Sequence, residues 1–339
     1  MTQLKSLQIT RFIAATSVAY LHIKCNPFFG GFGVDIFFVL SGFVMCLVVN
    51  NGETSKQFFI NRVSRIAPLY WLLTVGAFIL AAIAPALFNS TTANLTFLIK
   101  SLFFIPYIKE NGTVSPMIPV GWTLNYEIFF YALIFIVLMV WRRSWELVVS
   151  ASLIFIYLIA SYKKSESAYG IFFSYPIYLE FILGIILFNF YARKYEIFMK
   201  MSPYTATLLM CISYLAMVMV DLLEIESYRY LFLGIPASIF VFGALGLEKA
   251  IPKINPRLIA ILVAMGNASY ATYLSHLYVV EGIRKVIAPR LPWFDIYTPF
   301  GVCITLIAVL IVGQIIYVLI DKAISIYFRN KLSHILKTK

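Results

Sequence analysis

Apolar residues in this chain come in runs too long and too unbroken for the core of a soluble domain. Residues 66–88, 128–141 and 301–320 are examples. Runs of that length predict helices that cross a bilayer. Ten such helices are expected, near residues 6–24, 32–50, 66–88, 119–141, 146–161, 170–192, 203–221, 230–247, 258–283 and 297–321. A further apolar stretch, 94–107, is interrupted by Lys100 and Pro106. It is short for a crossing and predicts a re-entrant or interfacial helix inside an outer loop over 89–118. The expected fold is all-α: a polytopic membrane helical bundle forming one domain over residues 1–339, with a tail at 322–339.

Basic residues orient this bundle. With the N-terminus in the cytoplasm, 18 of the 27 lysines and arginines fall on the inner side and nine on the outer. That bias predicts both termini, and the tail, on the cytoplasmic face. Treating 94–107 as a full crossing would invert every later loop and erase it. The composition agrees: 61% of residues are hydrophobic and 12% charged, about half the charged share of a soluble domain. Lys5 and Arg11 precede an apolar stretch with no small-residue cleavage site, so the first helix is expected to be retained. The formal charge of +12 fits basic loops facing anionic lipid and gives no reason to expect nucleic acid. Cys25, Cys46, Cys211 and Cys303 are far apart and are expected in the core. No ligand spacing suggests a metal, and no permanently bound cofactor is expected.

Ionisable side chains inside spans are costly, so each is a functional candidate. They are few: Arg11, His22, Asp35, Glu127, Glu180, His276 and Glu281. Arg11 and His22 are eleven residues apart, about three helical turns and roughly 16 Å along one face. Either they mark the two ends of an internal groove, or Arg11 snorkels to the inner headgroups while His22 sits at the outer interface. By depth, His22, Asp35, Glu127 and His276 fall in the outer half, on four helices. Ser269, Thr272 and His276 share a helix face. A histidine and a carboxylate in a protected pocket suit general acid–base work; structural pairing of polar groups is the other reading. On the inner side, NRVSRIAPLYW at 61–71 puts Arg62 and Arg65 on one face of a helix start. Paired guanidinium forks suit phosphates, or these are ordinary inner-side charges.

Six segments, in order, resemble the acyltransferase-3 family of integral membrane acyltransferases. They are LQITRFIAATSVAYLH (7–22), GGFGVDIFFVLSGFVM (30–45), FFINRVSRIAPLYW (58–71), PVGWTLNYEIFFY (119–131), YLEFILGI (178–185) and GNASYATYLSH (266–276). The subgroup they resemble most O-acetylates bacterial exopolysaccharide or O-antigen at the inner membrane. The family's arginine, ten residues and histidine match Arg11 and His22; its arginine pair matches Arg62 and Arg65; its tryptophan and glutamate match Trp122 and Glu127. Where glycine commonly follows the first arginine, this chain has Phe12.

The resemblance implies an acyl-CoA donor, with acetyl-CoA expected, and a saccharide acceptor, polymeric or lipid-linked. Arg62, Arg65 and Arg11 would hold the donor. His22 would act as general base or be acylated first. Glu127 would fix its tautomer or orient the acceptor, and His276 would donate to the oxyanion or line the acceptor site. Asp35, Ser41, Trp122, Tyr126, Glu180 and Ser269 would line the site, Asp35 and Glu180 being equally readable as structural. Two rivals stay open: a transporter or flippase of a lipid-linked saccharide, and an acyltransferase acting on a cytoplasmic sugar precursor.

Overall fold

The computed structural model describes residues 4–24, 30–88, 90–225 and 228–337. Its helices, in chain order, are α1 (Lys5–Lys24), α2 (Gly33–Asn50), α3 (Ser55–Ile83), α4 (Leu95–Leu102), α5 (Trp122–Val140), α6 (Trp145–Lys163), α7 (Ala168–Ser174), α8 (Glu180–Arg193), α9 (Tyr195–Lys200), α10 (Pro203–Leu222), α11 (Arg229–Phe232), α12 (Gly234–Leu247), α13 (Pro256–Asn267), α14 (Ser269–Gly282), α15 (Pro299–Ile316) and α16 (Lys322–Lys337). One isolated bridge between Ile108 and Val114 is the sole extended pairing among the described residues. The protein is a polytopic helical membrane protein.

Among the described residues, eight helical segments are long and apolar enough to cross a membrane, and α13 with α14, bent by 68°, makes a ninth if the pair is one span. The tenth expected span, α1, falls short of that apolarity. The reason is its surroundings. It packs against α12, α13, α14 and α15, and much of its buried surface is small or hydroxyl: Ser6, Thr10, Ala14, Ala15, Ser17 and Ala19. Such residues let helices approach closely. A Cβ at Gly266 of α13 would lie 2.0 Å from the Gln8 carbonyl oxygen, and one at Gly33 of α2 would lie 2.4 Å from that of Ala14. The Glu248 carboxylate, just past α12, accepts hydrogen bonds from the amides of Lys5 (3.0 Å) and Ser6 (2.7 Å). It satisfies donors that a helix start leaves open.

Other boundaries moved for local reasons. α3 begins at Ser55 rather than 66, because Thr54 and Gln57 form a capping box. Arg62 and Arg65 therefore lie within α3, not before it. The expected span 170–192 is split into α7, a 3-10 turn over Pro176–Leu179 and α8; Pro176 disfavours helical backbone at the residue before it. The stretch 94–107 holds only the eight residues of α4, about 12 Å of helix. The tail is helical as α16 and packs on α3, with Phe328 edge-on to Trp71 at 6.1 Å. Of the described cysteines, only Cys46 is buried; Cys211 and Cys303 are exposed on α10 and α15, contrary to a core role. Cys25 lies outside the described residues.

The helices divide into two compact units, each built from separated stretches of chain. The first comprises Met1–Leu47 and Leu179–Tyr317; the second comprises Val48–Tyr178 and Val318–Lys339. In the first, Ala19 and Ile23 of α1 pack with Val280, Ile283, Phe294, Ile296, Val302 and Val309. In the second, α3 packs on α5, α4 and α16, and Tyr126 stacks on Phe172 at 4.0 Å.

The loop after α3 is ordered by its own polar side chains. Ser101 accepts from the Met117 amide at 2.9 Å and bonds Tyr107 at 3.0 Å. Lys109 is 4% exposed, its ammonium 3.4 Å from Thr91 Oγ1 and 3.5 Å from the Met117 carbonyl. Burial lowers its pKa from 10.5 to about 8, against the opposing pull of Glu110. Between those values the unfolded chain binds the proton more tightly than the folded loop, so stability rises with pH across that window. Hydrogen exchange at Ser101–Met117, corrected for intrinsic rate, is expected to slow from pH 8 to pH 10 in the wild type and to stay flat in Lys109→Met. A flat wild-type profile would contradict the burial.

Candidate active site

Two of the three histidines in the chain meet in the first unit. His22 sits in the last turn of α1, and His276 lies midway along α14, fully buried. His276 Nε2 is 3.2 Å from His22 Nδ1, and the rings are 4.9 Å apart. Their other neighbours assign the tautomers. His276 Nδ1 is 2.6 Å from the Tyr273 carbonyl, which only accepts, so Nδ1 carries the proton and Nε2 is an acceptor. His22 Nδ1 lies between that nitrogen and the Val18 carbonyl at 2.9 Å, so it is the donor. In the neutral ring, His22 Nε2 then holds no proton.

Arg284 completes this end of α1. Its Nη2 donates to the carbonyls of His22 (2.7 Å) and Ile23 (3.2 Å), and its Nη1 pairs with Glu281. Helix ends leave carbonyls unpaired, and a guanidinium there satisfies them and opposes the negative end of the dipole. No local pattern links Arg284 to a histidine 262 residues away. Ser269 and Thr272 are buried on α14 with His276. Ser41 is buried in α2. Arg11 is half-buried on α1, eleven residues before His22.

The remaining sequence candidates belong to the second unit. Arg62 and Arg65 are half-buried on α3. Arg62 Nε is buried without a hydrogen-bond partner, and Asp321 lies within electrostatic reach of Arg65. Glu127 accepts a hydrogen bond from Tyr131, one turn further along α5. Tyr126 is buried, stacked on Phe172, and donates to the Phe172 carbonyl at 2.8 Å. Trp122 packs edge-on against Tyr126 and Tyr175. Asn125, between Trp122 and Glu127, is buried with Oδ1 unpaired; the sequence reading passed over it.

Comparison with known proteins decides the family. Residues 4–318 match the family described as Acyltransferase domain. The chain belongs to the acyltransferase-3 family. This acyltransferase is 31% identical over 260 residues to exopolysaccharide production protein ExoZ of Rhizobium meliloti (strain 1021), covering 76% of this chain and 78% of the relative. It is 27% identical over 296 residues to nodulation protein 10 of Rhizobium leguminosarum bv. viciae, covering 79% and 77%. No solved structure matches it.

Within the acyltransferase, Asp35 and Glu180 lie in a second polar cluster of the first unit. Asp35, fully buried in the first turn of α2, receives both Arg229 Nε (3.0 Å) and Nη2 (2.6 Å). Asp221, at the end of α10, is electrostatically coupled to Arg229 and accepts from the Gly30 amide at 3.0 Å. Glu180 is fully buried beside Asp35, with no well-aligned hydrogen bond to either oxygen. One guanidinium thus ties α2 and α11 directly and reaches the end of α10. Asp35 has the cationic neighbour that the structural reading of it requires.

Proposed function

We propose that this membrane acyltransferase moves an acetyl group from acetyl-CoA to a hydroxyl of a surface polysaccharide or lipid-linked saccharide. It does so in the bacterial inner membrane, with both termini in the cytoplasm. The observation that carries the reading is the His22–His276 pair, a base with its tautomer held by a second ring. His22 Nε2 takes the proton of the acceptor hydroxyl as that oxygen attacks the thioester carbonyl. The new C–O bond forms, the C–S bond breaks, and the proton passes to the departing thiolate. While His22 is an imidazolium, its Nδ1–H stays on Val18 and His276. His276 has no proton on Nε2 to give an oxyanion, so it serves as a positioning residue rather than the donor the resemblance allowed. The relative named for exopolysaccharide production supports a saccharide acceptor.

Arg62 and Arg65 hold the donor's phosphates. The unpaired Arg62 Nε supports this. Arg62→Ala with Arg65→Ala is expected to weaken donor binding at least tenfold, from the loss of charge-assisted hydrogen bonds. Unchanged acetyl-CoA affinity of the purified double variant would refute that role. The function itself is tested in proteoliposomes given radiolabelled acetyl-CoA and saccharide. Free CoA and labelled saccharide are expected; saccharide movement without acetyl transfer would support a transporter.

A further inference from the structure

We propose that the start of α1 and the start of α13 form a binding site for one anionic phospholipid, its acyl chain in an apolar pocket and its phosphate on Lys5. The site goes beyond acyl transfer and does not depend on it. A pocket of about 380 Å³ lies between Lys5, the first residue of α1, and residues 251–263. Pro256, Ile259, Ala260 and Val263 line it at three- and four-residue steps, so one face of α13, about 10 Å long, turns toward it. Ile251 and Ile259 are buried, whereas Lys5, Pro256 and Ala260 are exposed and leave the pocket open at its rim.

The volume is that of a ligand site. Apart from Lys5 the lining side chains are apolar, and such a cavity holds hydrocarbon better than water. The charge at the rim is positive. Glu248 is the sole acidic residue in 1–34 and in 229–280, and its two oxygens are taken by the amides of Lys5 and Ser6. Lys253 sits between Pro252 and Ile254 of the pocket wall, and Arg257 follows Pro256. None of Lys5, Lys253 and Arg257 forms an ion pair with another described residue. Basic residues assign this end of α1 to the inner face, where basic pockets between membrane helices take anionic headgroups. A free phosphate compound would leave the apolar wall uncovered, and a zwitterionic lipid would bring its own cation to the lysine. Bound here, the lipid braces α1, whose other end bears His22, against α13, which bends into the helix of His276.

Lipid retention by the delipidated full chain in detergent tests the site. The probes are radiolabelled dioleoyl phosphatidylglycerol and dioleoyl phosphatidylcholine, which share their chains and differ in head charge. Phosphatidylglycerol is expected to bind at least roughly tenfold more tightly, because each cation at an anionic headgroup is worth about fivefold. The preference should weaken as salt rises. Lys5→Gln should cut it about fivefold and leave phosphatidylcholine unchanged. Ala260→Trp places an indole in the pocket from its exposed rim and should remove one retained phosphatidylglycerol per protein. Equal retention of the two lipids, an undiminished preference in Lys5→Gln, or unchanged stoichiometry in Ala260→Trp overturns the proposal. Displacement of phosphatidylglycerol by unlabelled acetyl-CoA would assign the pocket to the donor and overturn it as well.

Discussion

His22→Ala is expected to abolish acyl transfer in proteoliposomes while the protein inserts and binds acetyl-CoA as before. A general base contributes about 10²–10⁴-fold, and alanine removes the ring nitrogen proposed to take the hydroxyl proton. His276 separates positioning from mere packing. His276→Ala leaves His22 Nδ1–H with only the Val18 carbonyl, 2.9 Å away. The rate is then expected to fall by roughly 10- to 100-fold, because ring orientation is lost. Glutamine at 276 can donate its amide to the Tyr273 carbonyl and accept from His22 through its oxygen. His276→Gln should therefore recover much of the rate, whereas leucine of similar size should not. A fully active His22→Ala, or equal activity of the Gln and Leu variants at 276, would remove this mechanism.

Arg229→Ala is expected to cost the most stability of any single change. It strands the Asp35 carboxylate, which is 0% exposed, with Glu180 beside it. Breaking a buried pair from one side costs on the order of 3–5 kcal/mol. The partial exposure of the Arg229 side chain, 21%, argues for the lower end. Asp35→Asn combined with Arg229→Met removes both charges and should regain most of the loss. Thermal unfolding in detergent reads both: a large drop for the single variant and a recovery for the double. An unshifted midpoint for Arg229→Ala would show that the pair does not hold α2 to α11.

Donor affinity and the loop's pH response each read a separate part of the molecule. Only the His22 and Arg229 variants test what the first unit does as a whole, chemistry in one case and folding in the other.

The sequence by itself determined that this is a helical membrane protein, and it named both histidines of the pair. Lipid offers no partner to a backbone amide, so each crossing must be a helix and must be apolar enough to show itself as a run. Against that background, ionisable residues stand out. α1 stands out less as an apolar run, because a helix surrounded by protein needs small residues more than apolar ones. Tertiary structure alone decided which polar groups meet. His22 and His276 are 254 residues apart, and Asp35 and Arg229 are 194 apart. Arg284 and Asp221 gained their meaning only from those contacts. Local patterns carry helix and burial because both are set within a few turns. Charge pairing is set by which helices share a face, and no spacing along the chain encodes that.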